Sequence, residues 1–320
     1  MTPAQHLALA HELLKAGHFL AGWREYEWRW QAGGLNPEQF PQPLWNGEAL
    51  EGKTILLWAE QGLGDTIQFI RLARQVHNMG ARVVVECQPA LVRLLRSAAG
   101  LDLVVPYGET LPPFDYHLPL QSLPRLLGLT VERIPAAVPY LAAEARQAEA
   151  WQQALARFPR PRISITWSGN PQQARNRWRS VPLDAFAPLA AVQATFFSLQ
   201  KQTSPADHPP GPLTLLPLAP YCHDLADSAA ALAAIDLVIS CDTSVAHLAG
   251  ALGRSVWVLL DRDADWRWME DRQDSPWYPT MRLFRQTKPG DWKPVLEQVA
   301  AELLRLSLEF HQPDRQGRCA

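Results

Sequence analysis

Residues 54–87 read TILLWAEQGLGDTIQFIRLARQVHNMGARVVVEC. TILLWA (54–59) and RVVVEC (82–87) are unbroken apolar runs, and Asp65–His77 between them reads as a helix. A strand buried on both faces is continuously apolar rather than alternating, so two such runs joined by a helix predict a parallel pair covered on both sides. Gly62 and Gly64 permit the tight turn from strand into helix.

The alternation continues outward. A helix across Ala90–Ala98 and a short strand LDLVV (101–105) come next, then a proline-broken stretch 131–143 and a connecting helix Glu144–Arg157. The pattern restarts with strands RISITW (162–167), TFFSL (195–199), DLVISC (236–241) and SVWVLL (255–260), helices Leu183–Ala190 and Thr243–Leu252, and a closing helix Trp292–Phe310. Upstream, Leu7, Ala10, Leu13 and Leu14 make one helical stripe, Gly17 breaks it, and Phe19, Trp23, Tyr26 and Trp30 make a second. A lone helix pair cannot bury its own face, so it must pack on the chain downstream of it. The expectation is an α/β fold with two Rossmann-like domains, 50–145 and 158–310, facing a cleft and preceded by a helix pair at 1–35.

With 320 residues, 47% hydrophobic and 19% charged, the chain can bury a sizeable core. A formal charge of −2 gives no overall reason to expect nucleic acid or an anionic membrane as partner. No apolar stretch approaches the roughly 18 residues of a membrane-spanning helix. MTPAQHLALAHELLKAGHF lacks the apolar core of a signal peptide. Cys87, Cys222, Cys241 and Cys319 form no CxxC pair, so neither a disulfide framework nor a zinc site is indicated. The reading is a cytoplasmic protein without a transmembrane segment.

Four blocks carry chemistry. Glu60–Thr66 (EQGLGDT) opens a helix at a strand end, where Asp65 either caps the helix or serves as a general base. It lacks the third glycine of a dinucleotide fingerprint and the Gly-Lys-Ser/Thr of a P-loop. Ser240–Gly250 (SCDTSVAHLAG) repeats the strand-to-helix geometry. Thr243 and Ser244 sit beside free amides and His247 lies one turn in, which reads either as a capped helix or as a phosphate cradle. Trp167–Ser180 (WSGNPQQARNRWRS) crowds Arg175, Arg177 and Arg179 into a loop, and guanidinium groups bind phosphate bidentately. Ser198–Lys201 (SLQK) ends the next strand and could add a contact to sugar or nucleotide. The Asp- and Trp-dense block 261–286 reads as surface ion pairs rather than a metal site. His208, His223 and DLAD (224–227) read as structural.

Together GWREYEWRW (22–30), EQGLGDTIQFIR (60–71), PAAVPYL (135–141), WSGNP (167–171), RSVPL (179–183), SLQK (198–201), DLVISCDTSVAHLAGALG (236–253) and DWRWMEDRQDSPWYPTMRLFRQ (265–286) resemble bacterial tetratricopeptide-repeat glycosyltransferases. The catalytic part of those proteins is similar to glycosyltransferase family 9, the ADP-heptose:lipopolysaccharide heptosyltransferases. The resemblance implies a GT-B fold and an inverting, metal-independent transfer from a nucleotide-diphosphate sugar, with no cofactor. It implies that Asp65 is the base. It also implies that Asn170, Arg177, Arg179, Gln200, Lys201, Asp242, Thr243, Ser244 and His247 bind the nucleotide-sugar. The loop before Arg179 departs from the family, with Gln173 and Asn176 where relatives more often carry His and Asp, and Trp178 in place of a small polar residue. A single helical unit stands where relatives have tandem repeats. The departures motivate a second reading, a non-catalytic nucleotide-binding or protein-interaction module, and a third is a sugar-nucleotide epimerase. The glycan or protein acceptor is not encoded in these motifs.

Overall fold

The computed structural model describes residues 1–33, 39–173, 175–201 and 211–311; His208 and Cys319 lie outside them. Among the described residues, ten strands form two sheets in which every pairing is parallel. The first contains β1 (Thr54–Trp58), β2 (Arg82–Cys87), β3 (Leu103–Pro106) and β4 (Tyr116–Pro119), in the order β3-β2-β1-β4. The second contains β5 (Arg162–Thr166), β6 (Thr195–Ser198), β7 (Leu215–Pro217), β8 (Leu237–Cys241), β9 (Val256–Leu260) and β10 (Met281–Arg285), in the order β10-β9-β8-β5-β6-β7. Counted from β5, this is the doubly wound order 3-2-1-4-5-6. In each sheet the winding reverses beside the first strand, between β1 and β4 and between β5 and β8. Such switch points are where α/β sheets bind ligands, at the carboxyl ends of the strands.

The continuous apolar runs β1, β2, β5, β8 and β9 form where the sequence places them. The strands it does not signal, β4, β7 and β10, are all at sheet edges. An edge strand covers less apolar surface, so β4 carries Tyr116 and His117, and β10 carries Arg282 and Arg285 (MRLFR). The expected helix at 183–190 is a 3₁₀ helix, Leu183–Ala191, with Pro188 inside it. DLAD is a helix start: Asp224 caps Leu225–Leu232, and Arg93 holds Asp224 at 2.8 Å and Asp227 at 3.0 Å.

The N-terminal segment is three helices rather than two: Pro3–Lys15, Phe19–Tyr26 and Arg29–Gly33. Its apolar stripe packs on both halves. The Trp23 indole meets Phe69 at 6.2 Å and Trp266 at 5.2 Å, edge to face, and donates to the Leu129 carbonyl at 3.1 Å. Leu14, Phe19, Trp23, Phe69, Trp266, Trp277 and Tyr278 belong to one buried cluster. Burying one indole removes roughly 150–250 Å² from water, about 4–6 kcal/mol before the cost of ordering the chain. A separate cluster fills the opposite face of the second sheet, where Leu296 and Leu303 of the closing helix Lys293–His311 meet Ile163, Ile165 and Phe284. No helix among the described residues is long and apolar enough to cross a membrane.

Candidate functional site

Helix Leu63–Phe69 follows β1 and helix Ser244–Ala251 follows β8, so both begin at the carboxyl edges of their sheets. Their first turns touch. A Cβ added at Gly64 would lie 2.8 Å from His247 Cδ2, so the approach requires glycine there. This contact brings Asp65, Asp242 and His247 into one neighbourhood.

Asp65 is the third residue of its helix, and its Oδ2 accepts from the Gly62 amide at 2.8 Å. The capping role is therefore present. Its other oxygen, Oδ1, is paired with the Arg267 guanidinium. Arg267 also donates to Asp265 Oδ1 at 2.7 Å, lies 4.2 Å from the Trp266 ring centroid and is 6% exposed. Burial pushes the Asp65 carboxyl up, with Asp265 adding to the rise and Arg267 opposing it. At Asp265 burial also works upward, but Arg267 holds the group below the usual carboxylate range. Burial and, next, Asp265 push Asp242 up to about 6.

Arg267 is the residue that sequence reading missed. The block 261–286 is not a surface ion-pair region here, because Trp266, Arg267, Trp268, Trp277 and Tyr278 are all buried. The available signal was position: the block follows β9, at the same sheet edge as β8. Among the described residues no group of three or more His, Cys, Asp or Glu is placed to hold a metal ion.

His247 Nδ1 lies 2.9 Å from the Tyr278 hydroxyl, and Nε2 lies 3.9 Å from Asp242 Oδ1. The Tyr140 hydroxyl donates to the Ile67 carbonyl at 2.9 Å and accepts from Arg71 at 2.7 Å. The single Tyr278 hydrogen then has two acceptors, Nδ1 at 2.9 Å and the Tyr140 oxygen at 3.4 Å. Assigning it to the nearer contact, Nδ1, puts the imidazole proton on Nε2, on the Asp242 side; an Nδ1–H ring would instead donate to Tyr278. Burial first, then the charge of Arg267, push His247 down to about 3, so the ring is a neutral donor at physiological pH.

Thr243 occupies the cap position of helix Ser244–Ala251, but its side chain does not cap it; the hydroxyl contacts Ser240 Oγ at 3.0 Å. The first-turn amides therefore lack the usual side-chain partner. Arg179 acts electrostatically on both Asp242 and His247. Its loop is built by Asn176, which is buried, accepts from the Gly169 amide at 3.0 Å and lies 3.4 Å from Arg179 Nε.

Four further residues of the expected set have the following surroundings. Arg177 is exposed over the Trp178 ring at 4.7 Å. Asn170 closes a turn by accepting from the Gln172 amide at 3.0 Å. Gln200 is buried, and its Oε1 accepts from the amides of Trp167 at 3.2 Å and Ser168 at 3.0 Å, bracing the loop after β5. Lys201 is exposed.

No family model matches the chain. Protein FlbA of Caulobacter vibrioides is 25% identical over 324 residues, covering 92% of this chain and 54% of its own length. The chain thus spans about half of that relative. Among solved structures, the family 9 glycosyl transferase of Veillonella parvula superposes with a TM-score of 0.57 at 13% identity, covering 82% of this chain and all of the other. The E. coli ADP-heptose lipopolysaccharide heptosyltransferase II gives 0.53 at 15% identity over 79% of this chain and 99% of that one. The E. coli dodecameric glycosyltransferase TibC gives 0.54 at 12% identity over 82% and 77%. At these identities the likeness is one of fold, and the chain has the fold of family 9 glycosyltransferases.

Proposed function

We propose that the protein is an inverting glycosyltransferase of GT-B type that uses a nucleotide-diphosphate sugar. In this reading 50–145 is the acceptor domain, 158–310 is the donor domain, and the N-terminal helices are a tetratricopeptide-like unit bridging them. The observation that carries the reading is the contact of two helix starts at Gly64 and His247. It sets a carboxylate on the first sheet against an uncapped helix N-terminus on the second.

Asp65 would take the acceptor hydroxyl proton. The hydroxyl oxygen then attacks the anomeric carbon as the bond to the diphosphate breaks, and the diphosphate leaves with the electron pair. Charge on the leaving group falls to Arg179, Arg267, the amides at Thr243 and Ser244, and the His247 Nε2–H, an arrangement of fixed donors that does not depend on a metal ion. The non-catalytic alternative keeps a specific motivation, because both Asp65 oxygens are occupied by Gly62 and Arg267.

A thermal-shift series with UDP, GDP, ADP, CMP and TDP on wild type, Arg179→Ala and Asp65→Asn tests both. A ligand at 100 times its Kd stabilises by about 2.7 kcal/mol, which the assay detects. One diphosphate should shift wild type and Asp65→Asn but not Arg179→Ala. With the matching sugar donor, Asp65→Asn should lose transfer by about 10²–10⁴-fold. Unchanged transfer in Asp65→Asn removes Asp65 as the base, and nucleotide binding without turnover in wild type selects the binding-module reading.

A further inference from the structure

A cavity of about 410 Å³ opens at the carboxyl ends of β1, β2 and β3, beside rather than within the cluster around Arg267. Its walls include Trp30, Phe40, Trp58 and Tyr107, with the carboxylates of Glu60 and Glu86 between them. The Tyr107 ring is 41% exposed but fixed, since its hydroxyl donates to the Ala59 carbonyl at 2.6 Å. Glu60 already has a counter-charge: Arg29 grips it through Nε at 2.9 Å and Nη2 at 3.0 Å. Among the described residues Glu86 has no such partner, and partial burial raises its carboxyl.

A carboxylate only accepts hydrogen bonds, so whatever satisfies Glu86 must bring donors. A phosphate or carboxylate in the pocket would set like charges together at low dielectric, which disfavours it. Fixed aromatic faces with one or two acceptors match a ligand that has flat C–H faces and hydroxyls at its rim. The pocket is also joined to the reaction centre. Glu60 Oε1 accepts from the Gln121 amide at 3.2 Å, and Gln121 Oε1 lies 3.4 Å from Arg267 Nη2.

We propose that this pocket is a carbohydrate subsite that holds an uncharged sugar unit against Tyr107 and Trp58, with Glu86 accepting from its hydroxyls. That this sugar is part of the acceptor follows only on the transferase reading; the sugar binding itself does not rest on it.

Saturation-transfer NMR on the full chain, without nucleotide, tests it. The probes are methyl glucoside, galactoside, mannoside and N-acetylglucosaminide, against methyl glucuronide, glucose 6-phosphate and tetramethylammonium. Circular dichroism checks that the variants Tyr107→Ala and Glu86→Gln are folded. At least one neutral glycoside should bind about tenfold more tightly than both anions, a difference of about 1.4 kcal/mol. Tyr107→Ala should weaken that binding by about fivefold or more, in line with the loss of an aromatic contact. Glu86→Gln should bring the glucuronide to within about threefold of the neutral sugar, as expected when a repelling charge is removed. Anions that bind as well as neutral sugars, a preference for tetramethylammonium, no glycoside binding, or an unaffected folded Tyr107→Ala would each overturn the assignment. Because no donor is present, loss of nucleotide binding in the thermal-shift series leaves this result standing, and the reverse also holds.

Discussion

Acidification should separate two neighbours, the buried His247 and the half-buried Asp242, whose proton equilibria oppose each other. His247 is pushed from 6.5 to about 3, chiefly by burial and then by Arg267, with Arg71 and Arg179 adding to the fall and Asp265 opposing it. Between those values the unfolded chain binds more protons at this site than the folded one. Stability is therefore complete above pH 6.5 and is lost as pH falls toward the folded value, by roughly 3 kcal/mol at pH 4.5. Asp242 runs the other way. Burial and Asp265, opposed by Arg179 and Arg267, lift it from 3.8 to about 6. There the folded state binds more protons, so its contribution is complete below pH 3.8 and is lost as pH rises through 6. Acidifying from pH 6 to 4.5 regains roughly 1–2 kcal/mol. The two effects oppose each other in the wild type. Substitution should expose each one: urea midpoints of Asp242→Asn should fall between pH 6.5 and 4.5 relative to wild type, while those of His247→Gln should rise relative to wild type. Titrating groups that act on neither residue are common to the three proteins and drop out of the comparison, while Asp265, which acts on both, is held constant by repeating the series in an Asp265→Asn background. Parallel pH trends in all three would refute the opposing-neighbour reasoning.

Two further predictions use the same contact. Gly64→Ala adds a methyl 2.8 Å from a ring that Tyr278 holds in place, so an overpacking cost of about 1–3 kcal/mol should outweigh a helix-propensity gain of about 1 kcal/mol; an unfolding midpoint above wild type would contradict this. Nitrogen-15 histidine NMR should find His247 neutral with the proton on Nε2 and, in Tyr278→Phe, a shift toward the Nδ1–H form. A wild-type Nδ1–H ring would reverse the donor assignment at the Tyr278 hydroxyl.

Legibility in the sequence followed burial. Strands covered on both faces announce themselves as apolar runs, whereas the edges β4, β7 and β10 keep polar or very short segments and leave no such mark. The site was readable where chemistry coincides with a strand end. Asp65, Asp242, Thr243 and His247 follow β1 and β8 directly, and they meet. Arg267 was not readable, because Asp-Trp-Arg-Trp has the composition of an exposed ion-pair segment. Its burial depends on Trp23 and Phe69, which are distant in sequence and cover Trp266. The bracing contacts of Gln200 and Asn176 were not legible, since accepting from backbone amides leaves no compositional signature.

Arg267 also changes how the proposed base must work. As it stands, Asp65 Oδ1 faces the guanidinium and Oδ2 is on the Gly62 amide. Both contacts stabilise the ionised carboxylate and so weaken it as a base. A bound diphosphate would offer Arg267 a second, more highly charged partner. Any shift of the guanidinium toward it removes a stabilising cation from a carboxyl whose burial already favours protonation. On the transfer reading, donor binding would then make Asp65 more basic at the moment an acceptor proton has to be removed. The same displacement would leave an unshielded Asp65 carboxylate near Asp242 and Asp265, a repulsion that capture of the acceptor proton would relieve. On that reading Arg267 would couple the two substrates electrostatically, a role closed to Arg179 and the helix start, because among the described residues Arg267 is the cation paired directly with Asp65.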